Sequence, residues 1–66
     1  MYVIQIGAIV RLEHYSQEGR IVNHGLQQYV FGEDAFSTEA EAKARLISEY
    51  RSLISMYEKA IQQLER

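Results

Sequence analysis

Residues 38–64 read TEAEAKARLISEYRSLISMYEKAIQQL, and this stretch decides the fold. No proline or glycine interrupts it, and most of its residues are good helix formers. Leu46, Tyr50, Leu53, Tyr57, Ala60 and Leu64 recur at alternating steps of four and three, the spacing of heptad core positions. Ile47, Ile54 and Ile61 run beside them and widen the stripe. Arg45, Ser48, Arg51, Ser52, Ser55, Glu58, Lys59, Gln62, Glu65 and Arg66 fall on the other side. The pattern predicts one amphipathic helix over 37–65 with a broad apolar face. Thr38 and Glu41 have capping-box spacing, with Ser37 the alternative cap. Glu33, Asp34, Glu39 and Glu41 suit the positive end of the helix dipole, and their spacing matches no calcium loop.

Upstream of the helix the period changes from 3.6 to 2. Tyr2, Ile4, Ile6, Ala8, Val10 and Leu12 are apolar at every even position, which predicts a strand over 2–14 with its even face buried. Val3 and Ile9 fall on the opposite face. Tyr15-Ser16-Gln17-Glu18-Gly19 has turn composition, and Gly19 can close a hairpin. Arg20–Phe31 is rich in β-formers but broken by Asn23-His24-Gly25, so it forms either one bulged strand or two strands joined there. Two strands alone seldom persist, which favours a three-stranded meander. The expected class is α+β: a single domain over 1–66, with an antiparallel hairpin or meander in 1–32 followed by the long helix.

The elements differ in length. A helix over 39–65 would be roughly 40 Å long, whereas a typical strand spans only ~17–20 Å. A short sheet covers the first half of the stripe and leaves Ile54, Tyr57, Ile61 and Leu64 facing water. Contiguous apolar surface of that kind marks an interface, and twofold homodimers are the commonest assembly. The expected self-association face is therefore Tyr50, Leu53, Ile54, Tyr57, Ile61 and Leu64. The alternative is a first hairpin long enough to cover the helix from end to end.

Composition narrows the chemistry. With 66 residues the chain is near the lower limit for an independent core, and it has no cysteine to staple it. Hydrophobic content of 47% with 24% charged residues suits a folded domain. The net charge of −2 is unevenly spread. Residues 1–42 hold two bases and six acids, net −4; residues 43–66 hold five bases and three acids, net +2. No apolar run reaches the ~20 residues of a membrane span, and Met1-Tyr2-Val3-Ile4 lacks a basic leader, so a cytoplasmic protein without membrane contact is expected.

No reaction class finds its residues. There is no cysteine nucleophile, and no serine stands in a triad context. His14 neighbours Glu13, but adjacent strand residues point to opposite faces. His14 and His24 lack further ligands at metal spacing, and Gly7, Gly19, Gly25 and Gly32 are too scattered to cradle phosphate. Neither an enzyme nor a bound metal or cofactor is expected.

The run Gln27-Gln28-Tyr29-Val30-Phe31-Gly32, followed by Phe36-Ser37-Thr38-Glu39-Ala40-Glu41-Ala42, loosely resembles the strand-to-helix junction of the small arm-binding domain of phage integrases. That family reads DNA with a basic sheet, whereas this sheet region has only Arg11 and Arg20 among its acids, so nucleic acid is not an expected partner. Small, cysteine-free acidic domains are common among phage and mobile-element inhibitors of bacterial enzymes, and by that analogy the chain is expected to bind and modulate a protein. Tyr15, Glu18, Arg20, Glu33 and Asp34 are the residues expected to meet it. The alternatives are an inter-subunit pocket for an anionic ligand, using Arg45, Tyr50 and Arg51, and a DNA-binding sheet.

Overall fold

In the computed structural model, which describes Met1–Arg66, seven elements follow one another. They are β1 (Tyr2–Gln5), β2 (Ala8–Arg11), β3 (Ser16–Glu18), β4 (Ile21–His24), β5 (Gln27–Val30), β6 (Ala35–Phe36) and α1 (Glu39–Leu64). The strands form two antiparallel three-stranded sheets, ordered β2-β1-β6 and β3-β4-β5. The α+β class and the long C-terminal helix are as the sequence pattern predicts. The second sheet is a meander, with its break at Gly25 made into a turn between β4 and β5.

The strand predicted over 2–14 is instead a tight hairpin. Ile6 (φ 47°) and Gly7 (φ 74°) both take left-handed backbone, the combination a type I′ turn needs. Val3 then pairs with Val10 and Ile4 with Ile9. The chain's reversal switches the buried face from odd positions before the turn (Val3) to even ones after it (Val10 and Leu12). Val3 is wholly buried and Leu12 nearly so, whereas Ile6 at the tip is fully exposed and Ala8 is exposed. Even–odd alternation marks a face only while the strand runs straight, and the two-residue turn ends that condition. The predicted turn at 15–19 is corrected likewise: Ser16–Glu18 pair with Ile21–Asn23, and Gly19-Arg20 makes the turn. β6 also carries the sheet past residue 32.

The core lies between the sheets. Val3, Leu12 and Ala35 of the first sheet region pack with Val22 and Tyr29 of the second, flanked by Met1, Val10 and Phe31. Gln5 Nε2 donates to Gln27 Oε1 at 2.9 Å and to the Tyr29 hydroxyl, which in turn donates to Gln27. A polar clasp thus joins the sheets at one edge. Alternation along the short strands turns Tyr2, Ile4 and Phe36 toward the other face of the first sheet, where α1 lies. Sheet, sheet and helix therefore stack as three layers.

The helix starts where Thr38 Oγ1 accepts from the Glu41 amide at 3.2 Å and donates to the Glu41 carboxylate at 3.1 Å. Thr38, not Ser37, is the cap. Only 7 of 66 residues are buried, and Val3 and Val22 are the largest fully buried side chains. So thin a core leaves little margin against chain entropy, and burial against another molecule would add to it.

Candidate functional site

The helix meets the first sheet only with its N-terminal part. Ala42 is fully buried, Leu46 is half-buried, and the Tyr50 hydroxyl donates to the Gly7 carbonyl at 3.2 Å. These three lie in line, at steps of four, with the stripe that continues through Leu53, Tyr57, Ala60 and Leu64. One continuous apolar seam therefore passes beneath the head and then leaves it.

Beyond Tyr50 every residue of the chain is exposed. Leu53 is 40% exposed, Ile54 55%, Tyr57 63%, Ile61 52% and Leu64 85%. Met56 and Ile47 flank the seam and are equally open. The molecule's long dimension is 51 Å against 23 and 18 Å for the others, so this part of the helix stands free as an arm. The six residues expected to carry self-association are exposed on one face of α1, with Tyr50 at the head's edge.

The helix's polar side holds itself together locally. Lys43 pairs with Glu39 at 3.2 Å and Arg45 with Glu49 at 3.1 Å, both one turn apart and in solvent. Two shallow, open depressions run along the helix, one edged by Ala44, Ser48, Arg51 and Ser55, the other by Arg45, Ser52 and Met56. Arg45 and Arg51, six residues apart, do not share a helical face, and Tyr50 is engaged with Gly7. These three proposed ligand residues do not converge within one chain.

The residues expected to meet a protein partner lie on the second sheet's side of the head. Glu18 precedes the β3–β4 turn and Arg20 is part of it, and the Arg20 guanidinium donates to the Phe31 carbonyl at 3.3–3.4 Å. That bond brings Arg20 beside the Gly32-Glu33-Asp34 loop. Glu33 is exposed, while Asp34 Oδ1 accepts from the Val30 amide at 2.6 Å and braces the loop. Tyr15, 44% exposed, lies at the other end of β3. Four of the five residues are thus neighbours and the fifth stands apart.

Comparison with protein-family models, characterised proteins and solved structures finds no match to this chain. His14 and His24 are both exposed, and no three His, Asp or Glu side chains gather where they could hold a metal ion. No helix is long and apolar enough to cross a membrane.

Two exposed aliphatic residues escaped the sequence pattern. Ile6 and Leu26 occupy the tips of the β1–β2 and β4–β5 turns, both fully exposed. The Gln5–Gln27 hydrogen bond sets the two tips side by side. The signal was a glycine beside each, at 7 and 25, within otherwise strand-forming sequence.

Proposed function

We propose that this chain is a non-enzymatic protein-binding module that assembles as a homodimer through its free helical arm and modulates or inhibits a partner protein, in the manner of phage and mobile-element inhibitors. One observation carries the reading: the apolar seam from Leu53 to Leu64 is built at core spacing yet lies open to solvent. A surface helix of a monomer has no physical reason to keep leucine, isoleucine and tyrosine at heptad intervals beyond the last residue that packs on its own domain. The thin core makes the same case energetically, since association adds burial that the head lacks.

With the arm engaged in assembly, the Glu18, Arg20 and Glu33 surface, together with Tyr15, is left to receive the partner. Tyrosine and arginine bring broad contact area and directed hydrogen bonds to such surfaces.

Sedimentation of the wild-type chain and of Ile54→Asp and Ile61→Asp tests self-assembly. The wild type should sediment at twice its 7.7 kDa chain mass and both variants at the monomer mass. A wild-type monomer at all concentrations would remove this reading. Tyr15→Ala and Glu33→Arg, whose side chains make no hydrogen bond within the fold, should leave that mass unchanged while weakening capture of the partner.

A further inference from the structure

The self-assembly reading, on which this inference rests, leaves open which way the two arms run. We propose that a second copy of the chain packs its arm antiparallel to the first, centred between Glu58 and Lys59. The position of the head decides the direction. Ala42, Leu46 and Tyr50 hold the head on the same face of α1 that carries Leu53, Tyr57 and Leu64. Were two arms to pair in parallel through that face, both heads would fall at one level between the helices and occupy the same space. Running the second arm in reverse places each head beyond the end of the other's arm, where the partner's seam takes up the line that the sheet abandons at Tyr50.

Side-chain size sets the register. Reversal about the midpoint of 58 and 59 brings Leu53 level with the partner's Leu64, and Tyr57 level with the partner's Ala60. The largest residue of the seam then faces the smallest. A parallel pair would instead oppose tyrosine with tyrosine and alanine with alanine, crowding one layer and leaving a void in the next. On one flank Ile54 lies within about two residues of the level of the partner's Ile61, and Arg51 within about one residue of the level of the partner's Glu65. Glu58 and Lys59 each approach their own copies near the twofold axis, but on the outer edges, where solvent screens like charges. The overlap covers only the arm, so no residue that packs on the head is displaced.

The absence of cysteine makes the register directly testable. Leu53→Cys and Leu64→Cys, both at positions exposed in the single chain, are prepared singly, checked under reducing conditions by sedimentation for retained dimer mass, and oxidised alone and as an equal mixture. In the antiparallel pair the two copies of residue 64 are about 16 Å apart along the axis, as are the two of residue 53, well beyond the ~6 Å Cα separation a disulfide spans. The expected result is a crosslinked heterodimer from the mixture and little from either variant alone. Ready crosslinking of Leu64→Cys alone, products in statistical proportion from the mixture, or cysteine variants that keep the dimer mass yet crosslink in none of these samples would overturn the antiparallel register while leaving self-assembly intact. A wild-type chain of monomer mass would overturn both.

Discussion

The Tyr50 hydroxyl donates a hydrogen bond to the Gly7 carbonyl, and this contact marks where the helix stops belonging to the head. On the N-terminal side of it, Ala42 and Leu46 pack on the first sheet; on the other side, nothing in the chain covers the seam. The turn that presents this carbonyl depends on Gly7, whose φ is +74°. A methyl group there would stand 2.6 Å from the Tyr50 oxygen. Gly7→Ala should therefore lower stability by about 1–2 kcal/mol, mostly from the left-handed backbone, because the tyrosine ring can shift. Thermal melting of the variant, alone and combined with Tyr50→Phe, checks this: the backbone share of the loss should persist when the hydroxyl is gone.

The neighbouring turn residue should respond in the opposite sense. Ile6 is β-branched at φ 47°, which costs energy, and its fully exposed side chain makes no compensating contact within the chain. Asn-Gly is the preferred pair for this turn. Ile6→Asn is expected to raise stability by about 1 kcal/mol, read as a higher denaturant midpoint at unchanged slope. A lower midpoint would mean that Ile6 is held by contacts absent from the single chain.

Val3 and Val22 come from different sheets and meet in the small core, both with no exposed surface. Trimming either to alanine removes two methyl groups and leaves a gap that so few neighbours cannot close. Each change should cost about 2 kcal/mol, a large fraction of the stability a domain of this size possesses. Denaturant titration should show both variants shifted by similar amounts, since each side chain is lost from the same cluster.

Helix initiation rests on Thr38. Its hydroxyl satisfies the Glu41 amide, one of the donors a helix start leaves unpaired. Thr38→Ala should lower stability by about 1 kcal/mol, and Thr38→Asp should restore most of it, since aspartate caps equally well and favours the helix dipole. The melting temperatures of the two variants check the assignment; equal losses in both would point to a role for the threonine methyl group instead.

Much of this architecture is legible in local chemistry. The helix from 39 to 64 follows from an unbroken run of helix formers, a Thr38–Glu41 cap and a heptad-spaced stripe, all of which act within a turn or two of chain. The exposed arm was legible too, because it depends on comparing two element lengths. The first hairpin was not. Tyr2 to Leu12 alternates as one long strand would, and the pattern is the same whether the chain runs on or doubles back at Ile6-Gly7. The polar Ser16-Gln17-Glu18 segment looks like a turn because its pairing with β4 earns nothing from hydrophobic burial; its three residues are all exposed. Among the residues expected to meet a partner, Asp34 braces its own loop through the Val30 amide, while Arg20 holds the Phe31 carbonyl, a contact between positions that only the folded chain brings together.

Sequence alone established the α+β class, the helix with its cap and the apolar seam along it, because these depend on interactions between residues close in the chain. Three-dimensional packing settled the rest: where the first strand reverses, that Val3 enters the core together with Leu12 while Ile6 and Ala8 stay outside it, and that the seam loses its cover after Tyr50. Such features depend on which distant segments meet, and the energy of a sheet layer or a helix seam is realised only when its opposite face is in place.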